Sequence, residues 1–445
     1  MKLIQFNIFI KSFEKDIVML SRVKRLFKKK FVQNVFIVAS GAVGAQALSL
    51  LLSPIITRLY GPEAFGVLGT FTALTRIVIP IAALTYPVAI VLPKSDSNAK
   101  KIIKLSFIIT IFMSILSLLI LLVFKKPVID LFNLNDINNL IFLIPVVIFF
   151  AGLMQITVQW VIRTNQFLIN AKSEFYHSLI ANFSKVGIGF FLPVASVLVV
   201  IQTLAQGIRA LLIILFLRKN KTKSINNSSN EKELSIKETA KKHYDFPLYR
   251  APEELISTLS QNLPVLLLTS FFGPAAAGFY SIGRTVLSMP SRLIGRAIGD
   301  VFYPRITEAK HKGEDLNKLI KKATLTLAGF GILPFGIVII FGPFLFSFVF
   351  GEDWLRAGEY ARWIALFSFS TYLNQPAIKS LAVLSKQRFH LLFTIFRAAA
   401  RISGLLIGLI IFENDLIAVA LFGIISLITN FMLIFIILRM SKTKK

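Results

Sequence analysis

The stretch LYGPEAFGVL, Leu59–Leu68, sets a turn between two long apolar runs, and 212 residues later it returns as FFGPAAAGFY, Phe271–Tyr280. Gly61, Pro62 and Gly66 become Gly273, Pro274 and Gly278. A Gly-Pro pair alone marks only a turn. Here it ends one apolar run and starts the next at matching places in two halves of the chain, so it reads as an internal repeat. Pro93 and Pro304 follow the two motifs one residue out of step, and TNQF (Thr164–Phe167) is echoed by SKQRF (Ser385–Phe389).

Outward from this pair, apolar runs recur along the chain, each about 20 residues or longer, enough to cross a ~30 Å hydrocarbon core. Hydrophobic residues make up 55% of the 445, charged residues only 16%, and mean hydropathy is +0.72. Soluble domains carry nearer 25% charged residues. The composition is that of an all-α membrane protein. With no cysteine there are no disulfides, thiolate metal sites or cysteine nucleophiles. His177, His243, His311 and His390 form no zinc-binding spacing. The formal charge of +28 follows from basic cytoplasmic loops and not from nucleic acid binding.

Twelve transmembrane spans fit: 33–57, 64–92, 102–124, 138–161, 175–197, 198–217, 251–272, 275–303, 320–346, 357–384, 389–411 and 416–438. With span-edge residues counted in their loops, the N-terminus, even-numbered loops and C-terminus hold 36 of the 50 lysines and arginines, the opposite side five and the spans nine. That bias puts both termini in the cytoplasm. The domain reading is a cytoplasmic segment 1–30, a six-helix bundle 31–218, a polar cytoplasmic linker 219–249, a second six-helix bundle 250–438 and a tail 439–445. Residues 1–18 read in two ways: as an interfacial helix with Phe6, Phe9, Phe13 and Ile17 on one face, or as an extension upstream of a true start at Met19. Six spans per half give both halves the same orientation, the arrangement of a parallel-repeat transporter with a central cleft.

The nine cations within spans are Arg76, Lys185, Arg209, Arg284, Arg292, Arg296, Lys379, Arg397 and Arg401. Charges at membrane depth are costly and face a bundle interior or a water-filled cavity. Arg397 and Arg401 share a helix face. Gln202, Gln206 and Arg209 form one polar stripe, Gln155, Gln159 and Arg163 a second, and Ser288, Arg292, Arg296 and Asp300 a third. A cationic cavity favours an anion, and the guanidinium fork suits phosphate. Arg76, Lys185, Arg209, Arg284, Arg292, Arg296, Arg397 and Arg401 are therefore the candidate substrate-binding residues, with Arg284, Arg397 and Arg401 converging near mid-depth. Asp300 and Glu254 are the acids best placed for ion coupling, against a structural reading in which they pair with Arg296 and Arg250.

LLLSPIITRLYGPEAFGVL (Leu50–Leu68) followed by AIVLPKSD (Ala89–Asp96) resembles the opening of the Wzx-type polysaccharide repeat-unit flippases, of the multidrug/oligosaccharidyl-lipid/polysaccharide exporter superfamily. FPLYRAPEELISTLSQNLPVLLLTSFFGPAAAGFYSIG (Phe246–Gly283) resembles the second-half counterpart, and FGEDWLRAGEYARWIALF (Phe350–Phe367) the usual entry to span ten. The resemblance runs from about Phe31 to the end of the chain. It implies two six-helix bundles around a cationic cavity in the bacterial cytoplasmic membrane. It also implies translocation of an undecaprenyl-diphosphate-linked oligosaccharide for O-antigen or capsule synthesis, with a polysaccharide polymerase and a chain-length regulator as partners. No cofactor is implied; proton or sodium coupling stays open. Thr85-Tyr86-Pro87 stands where many members carry Arg-Tyr-Glu, so no role for that acid carries over. The alternatives are a lipid II or other lipid-linked glycan flippase, a drug/cation antiporter of the same superfamily, and a membrane polymerase or ligase. The antiporter needs intramembrane acids, and span one has none. The enzyme needs a large outer loop, and the longest here runs from about Lys125 to Ile137.

Overall fold

The computed structural model describes residues 30–132, 138–219, 233–297, 302–384 and 386–441, and no strand occurs among them. The helices are α1 (Lys30–Val78), α2 (Asp96–Phe132), α3 (Ile144–Arg163), α4 (Phe167–Gly189), α5 (Ala195–Lys219), α6 (Ile236–Lys242), α7 (Ala251–Ala297), α8 (Tyr303–His311), α9 (Leu316–Phe350), α10 (Leu355–Leu373), α11 (Gln375–Val383), α12 (Gln387–Leu406) and α13 (Asp415–Met440). Residues 1–29 and 442–445, with most of the proposed N-terminal segment and tail, lie outside the described residues.

Eight helical stretches among the described residues are long and apolar enough to cross a membrane, where the sequence predicts twelve crossings. Two of the eight, Val43–Ile81 and Phe246–Ser288, run to 39 and 43 residues, about twice what one crossing needs. Each is broken inside, at Gly61 (φ 67, ψ 174) and at Gly273 (φ 81, ψ −179). That backbone region is open essentially to glycine alone. Pro62 and Pro274 follow at once, where a helix start has no use for their missing N–H. Helices α4 and α10 fall outside the eight because they are too polar: α4 carries Lys172, Glu174, His177 and Lys185, and α10 carries Arg356, Glu359 and Arg362.

The two repeated turns pack on each other reciprocally. A methyl group on Gly66 would strike the Pro274 carbonyl, one on Gly278 the Pro62 carbonyl, and one on Gly69 the Ser281 hydroxyl. Gly69 and Ser281 are themselves 212 residues apart, so equivalent positions meet. One turn on, Thr70 Oγ1 and Thr269 Oγ1 lie 2.6 Å apart. Around this seam α1 packs on α4, α5 and α7, and α3 lies against α2 and α5. Across it α7 packs on α10, α10 on α9 and α13, and α12 on α13. The largest core belongs to that second group, with Tyr280, Trp354, Tyr360 and Tyr372 all but fully buried.

Span two and the linker depart from expectation. The span predicted over 64–92 is α-helical only to Val78, then breaks into two short 3-10 turns, Ile79–Ile81 and Tyr86–Val91. Pro80 and Pro87 remove backbone donors there, and Leu84 and Thr85 take positive φ (46° and 56°). The linker, read as a polar loop, holds α6, started by a capping box between Ser235 and Glu238. It docks on the unwound stretch. Leu234 N donates to Asn98 Oδ1 (2.9 Å), Ser97 Oγ to Glu233 Oε1 (2.6 Å), Tyr86 Oη to the Ala240 carbonyl (3.3 Å) and Thr85 Oγ1 to the Phe246 carbonyl (3.0 Å).

Candidate substrate cavity

A cavity of about 260 Å³ opens between α1, α4, α5 and α7. Helix α1 brings Ser49, Ser53, Thr72 and Arg76, α4 brings Asn182 and Lys185, α5 brings Gln202, and α7 brings Asn262, Ser281, Arg284 and Thr285. The lining holds three cations and no carboxylate. Arg284 Nη1 is anchored on the Gln261 carbonyl (2.6 Å), which fixes the guanidinium while leaving other N–H groups to the cavity. Asn182 donates to Ser49 Oγ (3.0 Å), and Tyr60 Oη donates to the Lys185 carbonyl (2.8 Å), so α4 is tied to α1 at Lys185 and one turn before it.

Depth follows from helix rise. Counted from the breaks, Arg76 lies 14 residues beyond Pro62 and Arg284 ten beyond Pro274, hence ~21 Å and ~15 Å along their helices. Lys185 lies four residues before the end of α4 at Gly189, about 6 Å from it. The three cations are thus spread along the cavity. Such a wall offers an elongated anion several charge-assisted hydrogen bonds, each worth roughly 1.5–3 kcal/mol.

Of the sequence-predicted site residues, Arg76, Lys185 and Arg284 line this cavity. Arg209 does not; it donates to Asn170 Oδ1 (3.0 Å) and pairs with Glu174 (3.4 Å) on α4. Arg397 and Arg401 also lie off the cavity, against α13 and α10: Arg397 donates to Asn430 Oδ1 (3.1 Å) and Arg401 stacks over Phe367. The predicted convergence of Arg284 with these two is therefore replaced by two separate basic clusters. Lys379 sits half-buried on α11, outside the lining. Glu254 is exposed in the first turn of α7 and makes no ion pair with Arg250 among the described contacts. Asp300 and the side chains of Arg292 and Arg296 lie outside the described residues.

Three features escaped the sequence reading. Glu174 was missed because span five was drawn from residue 175, while the helix starts at Phe167; the absence of Pro or Gly between 167 and 186 was the available signal. Asn182 was missed, although its place three residues before the predicted Lys185 on α4 carried the helix-face signal of a polar stripe. Arg163, placed on a stripe facing water, is clamped instead. It bonds Asp96 Oδ1 (2.9 Å) and the carbonyls of Pro93 (2.7 Å) and Ile90 (3.1 Å), with its side chain 5% exposed.

Residues 55–359 match the family described as "Polysaccharide biosynthesis protein". The chain belongs to that family. The teichuronic acid biosynthesis protein TuaB of Bacillus subtilis (strain 168) is 25% identical over 196 residues, 43% of this chain. The match spans 40% of TuaB. Among solved structures, an inward-facing multidrug resistance MATE family transporter of the MOP superfamily superposes with TM-score 0.69 at 13% identity, covering 90% of this chain and 96% of that one. The lipid II flippase MurJ, in an inward closed conformation, superposes with TM-score 0.65 at 14% identity, over 90% and 87%. This family member therefore has the fold of those multi-pass membrane proteins.

Proposed function

We propose that the protein is a flippase that carries an undecaprenyl-diphosphate-linked oligosaccharide across the bacterial cytoplasmic membrane by alternating access, for a surface polysaccharide such as O-antigen or capsule. The observation that carries this reading is the cavity lining: Arg76, Lys185 and Arg284 with no carboxylate among them. A cation-extruding antiporter needs the opposite sign. Family membership and the name of TuaB support an envelope glycan as cargo. In this reading the broken helices α1 and α7 each cross twice, and with α4 and the α10–α11 pair they complete twelve crossings. These form two six-helix bundles with both termini in the cytoplasm. The diphosphate meets the arginines, the sugars meet the hydroxyl and amide wall, and the released unit passes to a polymerase and chain-length regulator.

The test is lipid and surface-glycan analysis in a strain dependent on the protein, at matched membrane levels of each variant. Arg76→Ala, Lys185→Ala and Arg284→Ala should each lower surface glycan about tenfold or more, for one charge-assisted bond lost, while the lipid-linked unit accumulates. Lys237→Ala on the exposed side of α6 is the control. Normal export from all three cavity variants would overturn the proposal.

A further inference from the structure

A second basic cluster lies off the cavity. Arg397 and Arg401 stand four residues apart on α12 and share a face. Arg397 Nη1 donates to Asn430 Oδ1, and Asn430 is fixed in turn: its Nδ2 donates to Ser370 Oγ (2.9 Å) and Thr371 Oγ1 (3.2 Å), and its Oδ1 accepts a second bond from Asn374 Nδ2 (3.2 Å). The Arg401 guanidinium carbon lies 5.0 Å over the Phe367 ring. Its Nε and Nη2 are buried and reach no acceptor among the described residues. Among the described residues no carboxylate pairs with either arginine.

A guanidinium keeps its proton, so two like charges share one helix face in a medium of low dielectric. Uncompensated, that arrangement is strongly unfavourable. Asn430, Ser370 and Thr371 are engaged with one another, and of the Asn374 amide only Oδ1 is without a partner. Phe367 covers the flat face of Arg401 and leaves the edge, where Nε and Nη2 present the two parallel N–H groups that grip a single acceptor. A ligand that fills this place is compact, negatively charged and approached in the guanidinium plane. The geometry points to a site for one small monovalent inorganic anion of halide size at the Arg401 edge beside Arg397. It is separate from the substrate cavity and independent of the transport reading.

The experiment follows the unfolding temperature of the purified full-length protein in detergent as chloride or bromide replaces gluconate at constant ionic strength. Wild type should show a saturable rise. Arg76→Gln and Arg284→Gln should keep it, and Arg401→Gln should lose it. A rise that survives in Arg401→Gln and disappears in the cavity variants puts the halide in the cavity and overturns the proposal, as does a wild type indifferent to halide. Loss of export in the cavity variants tests the transport reading separately. Should Arg401→Gln not fold, Arg401→Lys keeps the charge without the fork, and its halide midpoint should rise about tenfold. Bromide-soaked wild-type crystals should show anomalous density at the Arg401 edge; its absence there also overturns the site.

Discussion

Gly61 and Gly273 show how much a single residue can hold. Neither has a neighbour within 4 Å of where a Cβ would stand, so an alanine meets no clash, only a backbone conformation closed to it. Each of Gly61→Ala and Gly273→Ala should cost about 1–3 kcal/mol, read as a lower unfolding temperature; stability equal to wild type would show that the breaks tolerate side chains. Arg163 is the other residue-scale anchor. With Asp96 it forms a largely buried ion pair, with side chains 5% and 10% exposed, so Arg163→Ala removes the counter-charge of a buried carboxylate and should destabilise by about 3 kcal/mol. The double variant Arg163→Met/Asp96→Leu should recover part of that loss. No recovery would mean that the carbonyl bonds of Arg163, and not the charge pair, carry the clamp.

At the scale of elements, the docked linker ties the unwound stretch and the start of α2 to the segment that leads into α7. His243 is buried at its hinge with its ring 6.1 Å from that of Phe246. Burial and the neighbouring Lys242 push its imidazole below the usual value, with Asp245 opposing. The docked state therefore binds fewer protons than the released one. Docking is at full strength above the ordinary imidazole pKa of ~6.5 and weakens as pH falls through it. Limited proteolysis between residues 233 and 246 should accelerate on acidification in wild type and not in His243→Phe. Equal acceleration in both would assign the effect to another group. Asn98→Ala should raise cleavage at neutral pH, since it removes the acceptor of Leu234 N.

For the whole molecule, the decisive contact is the reciprocal seam of the two Gly-Pro turns. Alternating access requires the halves to part there. Thr70 and Thr269 face each other across it, and the chain has no cysteine of its own, so Thr70→Cys/Thr269→Cys supplies a clean cross-link. Oxidation should abolish glycan export and reductant restore it, while each single cysteine stays active. Full export by the cross-linked protein would show that the seam never opens.

The amino-acid sequence alone determined the membrane class of the protein, its repeat and the positive sign of the charge within its apolar runs. Apolar run length, the return of Gly61-Pro62 as Gly273-Pro274 and the excess of buried cations are each local or compositional signals, and each survives in the fold. Tertiary structure decided which cations lie together. Arg76, Lys185 and Arg284 come from different helices, and nothing in their spacing distinguishes them from Arg209, which Glu174 neutralises, or from Arg397 and Arg401, which α10 and α13 enclose. Helix periodicity fixes the face a residue occupies on its own helix. It does not fix what that face meets, because the partner is set by packing between segments far apart in the chain.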